Sequence, residues 1–249
     1  MTAPLLVADG LVRRFGGLSA VGGVSLALHR GTLHAVIGPN GAGKSTLVNL
    51  LSGAIPPTSG RITVGGQDVT GRAPWQFARA GVGRSFQRTN VLAPMTVFEN
   101  ARLAAQVDAT RPAHLLRTAA HDPVTRRRAE FALDRVGLSD RADRVTNTLS
   151  HGQLRLLEIA MVLATDPSIL LLDEPLAGMG PEEAERIAEL LRTLARDHAV
   201  LLIEHDMDVV FAVADQLTVM VDGLVLDEGS PAHIRASAKV KDAYLGHAA

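Results

Sequence analysis

Several kinds of feature are missing from this chain. Its 249 residues include no cysteine, which excludes disulfide bonds and thiolate metal sites and fits a reducing compartment. The formal net charge is -1, whereas nucleic-acid-binding proteins usually carry a basic excess, so nucleic acid is not an expected partner. No apolar run approaches the roughly eighteen residues of a membrane span, and the first residues lack a secretory signal. These absences predict a soluble, cytosolic protein.

Lysine is also scarce. Lys44, Lys239 and Lys241 are the only lysines, and arginine supplies every other basic position. A chain that otherwise avoids lysine through its first two hundred residues therefore keeps one at position 44. This singles out the segment around Lys44 for closer inspection.

The hydrophobic pattern divides the chain into three parts. Hydrophobic residues make up 47% of the sequence, which is ample for one core with an inserted subdomain. Short strands and turns fill the first third, and residues 89–150 have a helical pattern that includes a Thr96-x-x-Glu99 capping box. After residue 150, helices alternate with the continuous apolar runs 168–174 and 199–204. That alternation is typical of a parallel sheet covered on both faces.

The segment GPNGAGKST, Gly38–Thr46, fits the pattern G-x-x-x-x-G-K-[ST] between a predicted strand and a predicted helix. Its glycines let the backbone curl so that consecutive N–H groups point at phosphate oxygens. Lys44 is expected to contact the β- and γ-phosphates, and Ser45 to ligate Mg²⁺. A glycine-rich turn with a solvated lysine is the plain alternative, which the flanking elements disfavour. The predicted nucleotide-binding residues of this segment are Gly38, Asn40, Gly41, Gly43, Lys44, Ser45 and Thr46.

The apolar run SILLLDEP carries two acids, Asp173 and Glu174. A buried strand tolerates such acids only at its end, facing a cation or a pocket, and ligands of open α/β sheets bind outside the carboxyl ends of the strands. Asp173 is expected to hold the metal, usually through its water shell, and Glu174 to polarise an attacking water as general base. Two solvated acids are the alternative. With the phosphate loop, these residues predict a nucleoside triphosphate and Mg²⁺, which kinases, GTPases and ATPases share.

The stretch LSHGQ, Leu149–Gln153, narrows that choice. Ser150 and Gln153 have the spacing of a capping box that starts a helix, predicted over Gln153–Thr165. A Ser150–His151 nucleophile pair is not expected, because adjacent residues at a helix start do not face one another and no strand precedes them to form a nucleophile elbow.

The order of these motifs resembles that of the ATP-binding cassette (ABC) ATPases. LSHGQ is similar to their L-S-G-G-Q signature, with His151 at the variable third position. The resemblance covers essentially the whole chain and implies an α/β P-loop NTPase fold: a RecA-like core with a parallel sheet, an N-terminal antiparallel β subdomain and an inserted helical signature subdomain. As a single domain over 1–249, the chain would divide into a core of 1–88 and 155–249 and a helical subdomain of 89–154. Ser150 and Gly152 would contact the γ-phosphate of ATP held by the other cassette of a dimer.

Three further positions match the family one at a time. Phe15 in RRFGG resembles the aromatic residue that stacks on adenine. Gln87 in RSFQR resembles the glutamine that touches Mg²⁺ and the lytic water and senses the membrane partner. His205 in LLIEHD resembles the switch histidine that contacts the γ-phosphate. The resemblance thus implies Glu174, His205 and Gln87 as catalytic residues, and Ser45, Gln87 and Asp173 as metal ligands.

One position departs from the family. Its members usually have S-A-L-D after Asp-Glu-Pro, where this chain has Ala177–Gly180 with the sequence AGMG. Gly180 cannot supply the acidic or amide side chain that crosses the dimer interface in the family.

Five segments of the sequence resemble a narrower group within the family. The group is the ATPases of branched-chain amino acid importers, with urea and short-amide importers as near relatives. The segments are RFGGLSAV, RSFQRTNVLAPMTVFEN, AGMGPEE, IEHDMDVV and VKDAYLG. The resemblance implies a second cassette, identical or paralogous, separate transmembrane permeases, a solute-binding protein, and a location on the cytoplasmic face of the membrane. The alternatives are the ATPase of a lipopolysaccharide-type exporter and a non-transport mechanical cassette. A soluble P-loop kinase has no use for LSHGQ.

Overall fold

The computed structural model describes residues 3–85, 90–108 and 122–245. Within them the strands form one four-stranded antiparallel sheet and one six-stranded, mainly parallel sheet. In chain order the strands are β1 (Leu6–Phe15), β2 (Leu18–Leu28), β3 (Thr32–Ile37), β4 (Ser59–Val64), β5 (Gln67–Asp68), β6 (Val82–Arg84), β7 (Ile169–Asp173), β8 (Ala199–Ile203), β9 (Gln216–Val221) and β10 (Leu224–Gly229). The helices are α1 (Lys44–Leu51), α2 (Pro74–Arg79), α3 (Val97–Ala104), α4 (Pro123–Arg135), α5 (His151–Ala164), α6 (Pro181–Ala195), α7 (Met207–Val213), α8 (Pro231–Ala236) and α9 (Ala238–Leu245).

The antiparallel sheet has the strand order β2-β1-β4-β5. Buried residues alternate with exposed or half-buried ones at Val24, Leu26 and Leu28 of β2, because successive side chains of a strand point to opposite faces. The buried face shares an apolar cluster with α1 and one face of the larger sheet. The antiparallel sheet therefore packs onto the larger sheet and α1 as a separate layer.

The larger sheet has the strand order β10-β9-β3-β8-β7-β6, with only β10 antiparallel to its neighbour. All five residues of β7 and all five of β8 are buried. Ile169 and Leu171 point into the cluster beneath the antiparallel sheet, whereas Leu170 and Leu172 point into a second cluster formed with the helices. Both faces are covered, as the continuous apolar runs predict, and this α/β architecture with an added antiparallel sheet agrees with the expected fold class.

The helices α3, α4 and α5 lie between β6 and β7 in the chain and pack on one another. Thr96 and Glu99 form the predicted capping box of α3. Helix α5 begins at His151, two residues before the predicted start at Gln153, because Ser150 is its N-cap. The predicted boundary at 154/155 falls inside α5, and the division into subdomains at these residues stays a prediction.

The sequence pattern did not indicate the short elements α2, β6 and α7. They contain six, three and seven residues, too few to display a hydrophobic period. Strand β6 extends the parallel sheet beyond β7. Among the helices in the described part of the chain, none has the length and apolar character needed to cross a membrane.

Candidate active site

The predicted site residues converge because of the sheet topology. Strands β3, β8, β7 and β6 are neighbours and run parallel, so their carboxyl ends lie at one edge. The phosphate-loop segment follows β3, Asp173 ends β7, and His205 comes two residues after the end of β8. Parallel α/β sheets bind ligands outside this edge.

The glycines of the phosphate loop are required by close backbone contacts. A Cβ at Gly38 would lie 2.1 Å from the carbonyl oxygen of Met220 in β9, and one at Gly43 would lie 2.3 Å from that of Ala20 in β2. Gly41 and Gly43 have φ angles of 82° and 96°, which side chains disfavour. Only a glycine-rich segment can follow this path between the two sheets and still enter α1.

Lys44 is the first residue of α1 and is buried. Its Nζ donates hydrogen bonds to the carbonyl oxygens of Gly38 (2.7 Å) and Pro39 (2.9 Å), which uses two of the three ammonium protons. Burial lowers the pKa of Lys44, and the negative charges of Glu174 and Asp173 oppose that shift. The lysine therefore lies close to Asp173 at the end of β7 and to Glu174 after it, and these two hydrogen bonds leave one ammonium proton unused.

Asp173 is 3% exposed at the end of β7. Its Oδ2 lies 3.8 Å from Nη2 of Arg84, and the Arg84 Nη1 donates to Ser52 Oγ at 2.7 Å. Burial raises the pKa of Asp173, while the Arg84 guanidinium partly opposes the shift. The buried Oδ1 accepts no hydrogen bond from the described residues. A buried carboxylate oxygen of this kind costs free energy unless it meets a cation or water, so Asp173 fits a Mg²⁺ site.

Ser45, a second predicted metal ligand, lies at the start of α1. Ser45 is exposed and Thr46 is half-buried in the first helical turn, and Asn40 is exposed in the loop. A hydroxyl and a carboxylate are oxygen ligands of the type Mg²⁺ prefers. Within the described ranges no group of three or more His, Asp or Glu side chains could hold a metal. Mg²⁺ would therefore depend on nucleotide phosphates as well as on Ser45 and Asp173.

Glu174 has an unusual backbone for a residue with a side chain. Its φ is 49°, in the left-handed region that non-glycine residues seldom adopt. The N–H of Glu174 donates to the carbonyl oxygen of Ile203 at 2.9 Å, so the chain turns immediately after β7 and stays attached to the end of β8. Such conformations cost on the order of 1 kcal/mol and persist where surrounding contacts enforce them, often at functional sites.

His205 presents its ring to solvent. The side chain is 66% exposed, and its Nδ1 lies 3.7 Å from Oε2 of Glu204. The exposed ring can reach a ligand beyond the sheet edge, whereas Glu204 is buried beneath it. The sequence prediction included His205 and missed Glu204.

Phe15 lies away from the parallel strands, at the end of β1 in the antiparallel sheet. Its ring is 47% exposed, and the Arg13 guanidinium carbon lies 4.6 Å from the ring centroid. An exposed aromatic ring with a face available can stack on a planar base. The structure is thus compatible with the predicted adenine contact.

The signature segment is on a different element, at the start of α5. The Ser150 Oγ accepts from the N–H of Gln153 (3.3 Å), and the Gln153 Oε1 accepts from the N–H of Ser150 (3.1 Å), which forms the predicted capping box. In the first turn this leaves the N–H groups of His151 and Gly152 without a partner inside the helix. The Glu183 carboxylate packs on Gly152, where a Cβ would lie 2.6 Å from Oε1.

His151 joins the signature segment to the loop after β7. Its Nε2 lies 3.3 Å from the carbonyl oxygen of Ala177. The same loop leads to Gly180, the N-cap of α6, which makes no side-chain cap hydrogen bond and has open space around it. His151 therefore ties the signature segment to the loop after β7 within one chain. Gly180, at the end of that loop, has no side chain to offer a partner.

Gln87 lies outside the described residues. Strand β6 ends at Arg84, and the Ser85 Oγ accepts from the N–H of Asp173 at 3.3 Å.

A groove of about 810 Å³ lies between α2, β6 and α5. Its lining includes side chains from α2, β6 and α5: Trp75, Arg79, Arg84, Glu158, Met161 and Val162. Trp75 is strongly exposed, whereas Arg84 reaches Asp173 behind the groove. No sequence signal indicated Arg84, since its importance depends on the sheet order.

Comparison with known proteins gives a consistent result. The model of the ABC transporter family matches residues 21–177. The high-affinity branched-chain amino acid transport ATP-binding protein LivG of Salmonella typhimurium is 42% identical over 259 residues, which cover 100% of both chains. The corresponding protein BraF of Pseudomonas aeruginosa is 41% identical over 255 residues, again covering 100% of both.

Solved structures agree with these matches. A nucleotide-free ATP-binding cassette from an ABC transporter has a TM-score of 0.86 and 31% identity, covering 97% of this chain and 98% of its own. Another such cassette, in its ADP conformation, has a TM-score of 0.86 and 31% identity, covering 98% of this chain and 100% of its own. This chain is an ATPase of the ABC transporter family.

Proposed function

We propose that this chain is the ATP-hydrolysing subunit of an importer for branched-chain amino acids, or for a related small solute such as urea or an amide. The observation that carries the proposal is the 42% identity to LivG over the full length of both chains. The ATPase of a lipopolysaccharide-type exporter is the alternative from the sequence.

Nucleotide binding would use the phosphate loop and Phe15. The N–H groups of residues 38–46 and the remaining proton of Lys44 would hold the phosphates, and Phe15 would stack on adenine. Asp173, Ser45 and Gln87 would hold Mg²⁺, which when bound would neutralise phosphate charge. The buried, unsatisfied Oδ1 of Asp173 supports this assignment.

Hydrolysis would depend on Glu174, His205 and Gln87. The chain turns at Glu174 immediately after β7, and the Glu174 carboxylate would take a proton from the attacking water. The exposed His205 ring would donate a hydrogen bond to the γ-phosphate, and Gln87 would help to orient the water. Positioning and electrostatic stabilisation account for most of the catalysis of phosphoryl transfer.

A second cassette would complete each site. The two N–H groups of the first turn of α5 that have no helical partner, with the Ser150 hydroxyl, form a donor set suited to an anion. In a dimer, Ser150 and Gly152 of one chain would contact ATP on the phosphate loop of the other. ATP would hold the two chains together, and hydrolysis would release them.

The groove that contains Trp75 is the proposed contact for a membrane permease. Exposed aromatic surface in a concave site is typical of protein contacts, and Arg84 connects this groove to Asp173. Permease binding would place the subunit on the cytoplasmic face of the membrane, and a solute-binding protein would act through the permeases. No nucleic acid partner is proposed, in keeping with the net charge.

Solute uptake in the native host tests the proposal. Replacing the chromosomal copy with a Lys44→Ala variant is expected to abolish high-affinity uptake of labelled leucine, isoleucine and valine. A Glu189→Gln variant, changed on the exposed side of α6, is the matched control and should transport normally. Unchanged amino acid uptake would refute the substrate class. Loss of urea uptake alone would select the related solute, and a defect in the outer membrane would favour the exporter.

A further inference from the structure

Glu204 is a buried acid to which the sequence motifs assign no role. It follows the last residue of β8 and is 1% exposed. Ionisable groups are almost never this buried unless they are paired or hydrogen-bonded. Its position between β8 and His205 therefore requires an explanation.

The Glu204 carboxylate accepts hydrogen bonds from two loops. Its Oε1 accepts from the N–H of Leu176 at 2.9 Å, and its Oε2 accepts from the N–H of His205 at 3.2 Å. Leu176 belongs to the loop after Glu174. One side chain thus joins the segment that carries the proposed general base to the segment that carries the proposed switch histidine.

A third hydrogen bond joins the same two segments. The N–H of Glu174 donates to Ile203 at the end of β8, so the turn after β7 is attached to β8 on either side of Pro175. The left-handed φ of Glu174 lies between these attachments. A strained conformation of this kind persists only where its surroundings enforce it, and Glu204 supplies part of that enforcement.

Opposing effects act on the pKa of Glu204. Burial raises the pKa of Glu204, the two backbone N–H groups and His205 oppose the shift, and the like charge of Glu174 adds to it. Both carboxylate oxygens act as acceptors. A glutamine here would keep one acceptor oxygen but turn its NH₂ group towards the other backbone N–H, which is a repulsive arrangement.

We infer that Glu204 is a positioning residue, which holds the proposed general base Glu174 and the proposed switch histidine His205 in a fixed relation at the hydrolytic site. It does not touch the nucleotide in this assignment. The inference rests on the proposed roles of Glu174 and His205.

The test compares Glu204→Gln, Glu204→Asp and the control Glu189→Gln in steady-state hydrolysis and nucleotide binding. Glu204→Gln is expected to lower kcat by about tenfold or more, because small displacements of reacting groups have large effects. The Kd for a fluorescent ATP analogue should stay within about twofold, since ground-state binding is unaffected. Glu204→Asp keeps the charge but withdraws the carboxylate by one methylene, and it too should be slow.

Amide hydrogen exchange provides a readout independent of turnover. Peptides that contain Leu176 or His205 should exchange faster in Glu204→Gln, whereas peptides from β3 and β7 should not change. Wild-type kcat in Glu204→Gln would overturn the inference. So would a normal kcat in Glu204→Asp, which would assign the effect to charge alone, or faster exchange throughout the chain with weakened binding, which would indicate a purely structural role.

Parallel variants separate this inference from the roles on which it rests. If Glu174→Gln and His205→Ala retain normal turnover, the proposed catalytic assignment fails. If those two variants are inactive and Glu204→Gln is not slowed, only the positioning role fails. Glu204→Asp also supplies the measurement if Glu204→Gln does not fold.

Discussion

Glu174 has the backbone of a residue held in place by its neighbours, and the proposed hydrolysis depends on its carboxylate. Replacement by glutamine preserves shape but removes the base, so Glu174→Gln is expected to bind ATP and to stabilise the dimer. Turnover should fall by about a hundredfold or more, the range for loss of a general base. Phosphate release measures turnover, and size-exclusion chromatography with ATP measures the dimer.

The Glu189→Gln variant controls for a change of charge and should match the wild type in both assays. Retained steady-state hydrolysis in Glu174→Gln would refute the assignment of Glu174 as the base.

The sequence predicted those site residues that belong to a recognisable motif. Lys44 and Asp173 follow from pattern and neighbouring elements, and the structure brings them to one edge of the sheet. Glu204 was missed, although it shows the signal that singled out Asp173, an acid at the end of a buried apolar strand. Arg84 could not be found, because its contact with Asp173 depends on β6 pairing with β7.

His34 links two strands of the larger sheet and gives the fold a pH dependence. Its Nε2 lies 2.8 Å from Thr218 Oγ1, so the pair joins β3 to β9. Burial, with a smaller effect of His29, lowers the pKa of His34 to about 4. The unfolded chain binds the proton more tightly, so this stability is present near neutral pH and is lost as pH falls from the unfolded pKa of about 6.5 towards 4.

Urea unfolding at pH 7 and pH 5 measures this effect. His34 alone should lower the free energy of unfolding by about 2 kcal/mol over that interval. A His34→Gln variant should show a correspondingly smaller pH dependence. Equal pH dependence in wild type and His34→Gln would contradict the assignment.

The start of α5 combines a structural cap with a proposed phosphate contact, and two substitutions separate them. Ser150→Ala removes the cap and should lower the free energy of unfolding by about 1 kcal/mol. Ser150→Asp keeps a good cap but adds a negative charge, so its stability should be normal while ATP-induced dimerisation is lost. Thermal unfolding and size-exclusion chromatography measure the two properties.

Ser230 is the N-cap of α8 and provides the matched control. Ser230→Asp should keep both stability and dimerisation. If Ser150→Asp dimerises normally with ATP, Ser150 does not face a phosphate.

Among the elements, the long apolar strands and the capped helices were predictable. Burial on both faces makes β7 and β8 continuous apolar runs, and α3 and α5 begin at side chains whose hydrogen bonds are local. The apolar pattern marks only Leu5–Ala8 in the region of β1 and Val24–His29 in the region of β2. Arg13, Arg14 and Gly22 interrupt the pattern, and pairing between the strands determines their full length. The short α2, β6 and α7 are set by tertiary contacts.

For the whole molecule, pairing of two identical chains would create two composite sites related by symmetry. Lys44→Ala removes the phosphate-binding lysine from the loop of its own chain, and Ser150→Asp prevents the signature segment of its own chain from binding a phosphate. Each variant alone should be inactive. A mixed dimer has one site with both defects and one site with neither, so an equal mixture should recover up to about a quarter of wild-type phosphate release.

The two variants must be incubated together until their subunits have exchanged. Phosphate release by wild type treated in the same way is the reference value. Absence of recovery would contradict pairing between copies of this chain and would favour a paralogous cassette as the partner.

The packing of Glu183 on Gly152 bears on how genetic data for the signature segment should be understood. An alanine at position 152 would place a methyl group about as close to the carboxylate of its own chain as a covalently bonded neighbour two atoms away, 2.6 Å from Oε1. The Oε1 atom is the free end of a flexible, half-buried side chain, so Glu183 can move aside at little cost. Inactivity of a Gly152→Ala variant would therefore point to the surface that Gly152 offers to a ligand, and not to a collision inside its own chain. A Gly152→Ala variant that also carries Glu183→Ala should then be as inactive as Gly152→Ala alone.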